Sequence, residues 1–138
     1  MTATHIWSGL LILGLGVVAG LAYAKPKSEI KRIGMVIRIK PEKIAEYKQL
    51  HADSNPGVRD LLAKAHMQNF SIFIRQLDDG QYYLFGYYEY TGSNYDADMA
   101  WLAAQPRNKA WLMVTDPMQL PLKDQKTWAM MDQVYHND

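Results

Sequence analysis

Asn69-Phe70-Ser71-Ile72-Phe73-Ile74-Arg75, then Asp78-Asp79-Gly80, then Gln81-Tyr82-Tyr83-Leu84-Phe85-Gly86-Tyr87-Tyr88-Glu89-Tyr90 is the part of the chain on which the architecture turns. The first segment alternates. Phe70, Ile72 and Ile74 fall on one side of a strand, and Ser71, Phe73 and Arg75 on the other. Asp-Gly between two such runs is a tight hairpin signal, because glycine accepts the positive φ that the turn requires. The second run is rich in aromatic residues that fit a pleated surface. These residues therefore read as two adjacent antiparallel strands.

Outward from the hairpin, both flanks change period. Upstream, Ile33-Gly34-Met35-Val36-Ile37-Arg38-Ile39 reads as a strand. Lys40-Pro41-Glu42-Lys43 opens a helix, since proline suits a first turn and an acid there faces the positive helix end. Ile44, Tyr47, Leu50 and His51 lie along one helical face. Asn55-Pro56-Gly57 interrupts the helix, and Val58, Leu61 and Leu62 resume its spacing to Ala65. Downstream, Asn94 is a candidate N-cap for a helical region from Tyr95 to Ala104. That region breaks near Gln105-Pro106 and resumes through Val114. A proline-bearing loop from Asp116 to Lys126 and a last strand from Trp128 to Tyr135 complete the chain. The order β-α-β-β-α-β is the ferredoxin-like α+β arrangement, an antiparallel sheet with its helices on one face. Its second face needs a cover. The aromatic third strand points to a homodimer, two sheets closing into a dimeric α/β barrel.

The 138 residues are enough for one such domain. Fifteen Lys and Arg balance 14 Asp and Glu, with no basic stripe, so nothing predicts a nucleic-acid partner. With no cysteine there are no disulfides, thiolate metal sites or thiol nucleophiles. Residues 1–24 differ from the rest. Ile6 to Ala24 carries no charge, and Ala22-Tyr23-Ala24 is a small-x-small pattern ahead of Lys25-Pro26-Lys27. This favours a cleaved export signal, and so a periplasmic or extracellular protein, over a retained membrane anchor. Only if the segment were retained would the chain associate with a membrane. Residues 25–31 then form a linker, and 32–138 the folded domain.

Within that domain Tyr47 and His51 are the foremost candidates for chemistry. Four residues apart, they place a phenol and an imidazole on one helical face. Imidazole titrates near neutrality and both gives and takes protons there. No two histidines have metal-ligand spacing, so no metal site is predicted.

From Ile33 onward the chain resembles the L-rhamnose mutarotase family. The resemblance is carried by Gly34-Met35-Val36, by Lys40-Pro41-Glu42-Lys43-Ile44-Ala45-Glu46-Tyr47-Lys48-Gln49-Leu50-His51, by Asn69-Phe70-Ser71-Ile72-Phe73, by Leu84-Phe85-Gly86-Tyr87-Tyr88-Glu89-Tyr90, by Asp98-Met99-Ala100, Trp111, Thr115-Asp116-Pro117-Met118, and by Trp128 with Val134-Tyr135-His136. It implies interconversion of the α and β anomers of L-rhamnose or a related deoxysugar, with no cofactor. The family's proton-donating histidine falls on His51 and its substrate-contacting tyrosine on Tyr47. A further sugar-contacting aromatic falls on Phe70, where tyrosine is commoner. Of a family tryptophan pair Trp111 is kept, and Ala110 stands in the other place. A Trp-Pro-Glu stretch is replaced by Asn55-Pro56-Gly57. The expected chemistry has His51 protonating the ring oxygen while Tyr47 or water handles the anomeric hydroxyl. Two other readings are a non-catalytic sugar-binding domain on the same scaffold and, by fold analogy alone, a cofactor-free oxygenase or haem protein.

Overall fold

A computed structural model describes residues 29–137. The expected leader, residues 1–24, and most of the linker lie outside the described residues.

The hairpin forms as its pattern requires. Strands β2 (Met67–Gln76) and β3 (Tyr82–Tyr90) pair antiparallel across the Asp78-Asp79-Gly80 turn, where Gly80 has φ +75°. Strand β1 (Lys31–Ile39) runs antiparallel to β3 along its whole length, with Ile37 opposite Leu84 and Met35 opposite Gly86. Two helices follow β1. A 3-10 turn at Pro41–Lys43 leads into α1 (Ile44–Leu50), and α2 (Arg59–Lys64) follows the Asn55-Pro56-Gly57 break. After β3 come α3 (Tyr95–Ala104), capped by the Asn94 side chain accepting from the Ala97 amide, and α4 (Pro106–Thr115). The sheet order is β2-β3-β1-β4, as a ferredoxin-like α+β fold demands.

Two details depart from the sequence reading. The segment expected as a loop from Asp116 holds a 3-10 turn and a two-residue strand, β4 (Gln119–Leu120), beside the end of β1. The last strand, expected from Trp128 to Tyr135, is only β5 (Ala129–Met131), beside the middle of β1. One edge of β1 is thus served by two short strands with Pro121 between them, a residue with no N–H to give a ladder. The chain beyond Met131 finds no surface to cover it: Val134 is 95% exposed. The second departure is a bulge in β2. Register shifts between Gln68 and Ser71, and Asn69 takes φ +53°, a left-handed conformation that asparagine tolerates better than most residues. The extra residue keeps both Met67 and Phe70 on the helix-covered face.

Alternation along β1 and β3 sorts the side chains. Ile33, Met35, Ile37, Ile39, Leu84, Tyr88 and Tyr90 are buried beneath the helices. Two packed groups result. Tyr47 joins Ile37, Ile39, Leu84 and Met118 at one end, while Val58, Leu61, Ala65 and Leu102 join Ile33, Met35, Met67, Tyr88 and Tyr90 at the other. Between them the helices and the curled sheet leave a hollow.

Candidate functional site

The hollow is a cavity of about 580 Å³. Tyr47, His51, Phe70 and Trp111 all line it, brought together from α1 and its C-cap, β2 and α4. Ala110 does not. It is exposed on α4, because its neighbour Trp111 takes the inward position and successive helical residues point about 100° apart. The alanine therefore does not widen this cavity, contrary to its expected place among the sugar contacts.

His51 is the C-cap of α1 rather than a residue within it, yet it keeps the one-turn relation to Tyr47. The two rings stack at 4.1 Å with an angle of 28° between planes. The indole of Trp111 meets His51 edge-on at 5.2 Å. Nδ1 of His51 lies 2.8 Å from the carbonyl oxygen of Tyr47. A carbonyl only accepts, so Nδ1 carries the proton and donates it. In the neutral ring Nε2 then holds the free lone pair, and it has no hydrogen-bonding partner in the described chain. Burial holds the imidazole below its ordinary pKa of 6.5, outweighing the carbonyl that favours the charged form; the nearby Arg59 guanidinium lowers it further. At neutral pH His51 is uncharged and ready to accept a proton.

Tyr47 complements it. Burial pushes its phenol up to about 12, so the hydroxyl keeps its proton and serves as a donor. It accepts a long hydrogen bond, 3.4 Å, from Nε2 of Gln119. One cavity wall therefore offers a neutral base and a protonated phenol side by side.

The Asn55-Pro56-Gly57 loop is firmly built. The Asn55 carboxamide donates to the Leu50 carbonyl and accepts from the Gly57 amide. Gly57 has φ +51°, and a Cβ there would stand 3.2 Å from the Trp111 ring, so glycine lets the indole lie flush on the loop. Arg59 donates to the carbonyls of Asn55, His51 and Ala52, tying the end of α1 to the start of α2.

Several wall residues went unforeseen. Trp128 lies against the position a Gly86 Cβ would occupy, closing the sheet side of the cavity. Gln119, Asp116, Arg59 and Asn108 also line it. Asn108 stands three residues before Trp111, which is the same-face helical spacing, and that was the available signal.

The sequence matches the model of the L-rhamnose mutarotase family over residues 32–137. The chain belongs to that family. Among solved structures it is similar to an L-rhamnose mutarotase from Formosa agariphila, with 18% identity over 78% of this chain and 99% of that one, at a TM-score of 0.58. It is also similar to an antibiotic biosynthesis monooxygenase, with 20% identity over 78% of this chain and 100% of that one, at a TM-score of 0.44. The likeness to the mutarotase structure, at 18% identity, bears on the fold alone. No protein of curated function matches the sequence. In this member of the L-rhamnose mutarotase family, Tyr47 and His51 share one cavity wall with Trp111 beside them.

Proposed function

We propose that the protein interconverts the α and β anomers of L-rhamnose, or of a closely related deoxysugar, by acid–base ring opening. The observation that carries this reading is the state of His51: Nδ1–H engaged by the Tyr47 carbonyl, Nε2 unpartnered, the ring uncharged in an aromatic cavity. Nε2 takes the proton of the anomeric hydroxyl while the bond from C1 to the ring oxygen breaks. The ring oxygen gains a proton from the Tyr47 hydroxyl, directly or through water. Rotation about C1–C2 turns the aldehyde's other face to the same hydroxyl. Closure forms the C–O bond again and returns both protons. The neutral tautomer makes His51 a base in ring opening and, by reversibility, an acid only in closure, which reverses the first role expected from the resemblance. Trp111 and Phe70 supply apolar walls for the sugar's C–H face and methyl group.

Magnetisation-transfer NMR on L-rhamnose tests the proposal. Purified protein should raise the anomer exchange rate in proportion to its concentration. Saturable binding without faster exchange would mark a sugar-binding domain instead.

A homodimer is part of the same proposal. On the outer sheet face Phe73, Phe85 and Val36 sit side by side on neighbouring strands, and Phe73 is 66% exposed. A second copy laid sheet to sheet would cover this row, at the core position where interfaces concentrate aromatic residues. Sedimentation should give a dimer for the wild type and a monomer for Phe73→Asp; a wild-type monomer at micromolar concentration refutes this part.

A further inference from the structure

Asn108 is a largely buried residue whose carboxamide makes no hydrogen bond among the described residues. It is only 6% exposed, and it lines the cavity. Its amide atoms are not sealed in the core, and in a residue this buried they open onto the cavity, where a group arriving from outside can meet them. Three neighbouring polar side chains are already engaged, while the Asp116 carboxylate, also in the lining, is an acceptor only. Both ends of the Asn55 carboxamide are used within its loop, Arg59 grips backbone carbonyls, and the Thr115 hydroxyl donates to the Trp111 carbonyl.

Its position sets what it can meet. Asn108 and Trp111 share a face of α4, about 5 Å apart along the axis. The Trp111 ring in turn touches the His51 edge. A pyranose with its anomeric carbon at His51 and its apolar face on Trp111 turns its far edge, with the ring hydroxyls remote from C1, toward Asn108. A carboxamide has two donor hydrogens and an acceptor oxygen, the complement of two adjacent hydroxyls.

We propose that Asn108 is the specificity-determining residue of this pocket, donating to one hydroxyl and accepting from its neighbour on the pyranose edge remote from the anomeric carbon. The inference rests on the sugar mutarotase reading and adds which part of the sugar is recognised. A site built to bond a hydroxyl discriminates strongly against an analogue lacking it, because its own polar group is then stranded.

The test uses Asn108→Leu, which keeps the branched shape and removes the hydrogen bonds, with Asn108→Ala as a second variant should the leucine protein not fold. Affinity for L-rhamnose and for its 3-deoxy and 4-deoxy derivatives is measured by NMR titration, kcat and KM by anomer exchange, and melting temperature without sugar. Expected are a loss of L-rhamnose affinity of about tenfold or more, kcat within about threefold of wild type, and disappearance of the penalty against at least one deoxy sugar. The melting temperature of Asn108→Leu without sugar should hold or rise, since the amide it removes satisfies nothing. Unchanged affinity with the deoxy penalty intact overturns the inference. So does a sharp fall in melting temperature with affinity intact, which would make Asn108 a packing residue. Binding is read apart from exchange: a wild-type protein that binds L-rhamnose without exchanging its anomers refutes the mutarotase reading, while the affinity comparison still decides the role of Asn108.

Discussion

Replacing His51 by alanine is expected to lower catalysed anomer exchange of L-rhamnose about 100- to 10,000-fold, the range a positioned acid–base group supplies. The loss should appear in kcat, because on the proposed reading the sugar's contacts with Trp111, Phe70 and Asn108 are untouched. The magnitude follows from the geometry of one ring. Its Nδ1–H is committed to the Tyr47 carbonyl, so the whole of its proton-transfer capacity sits on Nε2. Solvent water at the same place is a weaker base and is not held there. The pH profile provides an independent check on the same imidazole. The neutral form is the active one in ring opening, and burial holds the folded pKa below 6.5. Protein-dependent exchange should therefore be full at neutral pH and fall as acid carries the solution through that lowered pKa. No basic limb is expected near neutrality, since the phenol of Tyr47 stays protonated until about 12. The measurement is the exchange rate at several pH values with the buffer-catalysed rate subtracted at each. An alanine variant as fast as wild type, or a wild-type profile that rises toward acid, would remove His51 from the reaction.

What was legible in the sequence was whatever depends on short-range period. Phe70, Ile72 and Ile74 announced one face of β2 by alternation, and Asp79-Gly80 announced the turn. Tyr47 and His51 announced a shared helical face, and that relation survived although the helix stops at Leu50. What was hidden depends on where a side chain ends up after packing. Ala110 and Trp111 are adjacent in sequence, yet only the indole turns inward, and nothing local in a helix says which of two neighbours will. Asn69 gave no sign of a bulge because its left-handed backbone is dictated by keeping Met67 and Phe70 on one face of the sheet. The strand β4 inside the expected loop and the shortening of the last strand to β5 are matters of long-range pairing with β1, beyond the reach of any window of residues. Asn108 was concealed for a simpler reason. An asparagine in a helix usually faces water, and only the folded cavity makes this one conspicuous.

Ile37→Ala is expected to have the largest effect on stability of any single truncation on the sheet, about 3 to 4 kcal/mol. Ile37 is 1% exposed, stands directly opposite Leu84 on β3, and packs in one group with Ile39, Tyr47 and Met118. Three elements meet there: the central strand pair, α1 through Tyr47, and the 3-10 turn before β4 through Met118. The strand is paired with β3 at Ile37 and, on its other edge, with β5 at Val36 and β4 at Arg38, so the sheet has little freedom to collapse into the space that the lost methyl groups leave. A cost of this size is a large share of the roughly 5 to 15 kcal/mol that stabilises an ordinary domain. For a domain of about 100 residues it corresponds to a fall in melting temperature of about 15 °C or more. Thermal unfolding followed by circular dichroism checks the prediction, and a shift below about 3 °C would show that the packing around Ile37 relaxes freely. The same variant separates platform from chemistry. Ile37 does not line the cavity, so at low temperature, where the variant is still folded, anomer exchange should stay within a few fold of wild type. A loss as deep as that of His51→Ala under those conditions would mean that the Tyr47–His51 stack depends on close packing beneath it, not only on the helical turn the two residues share.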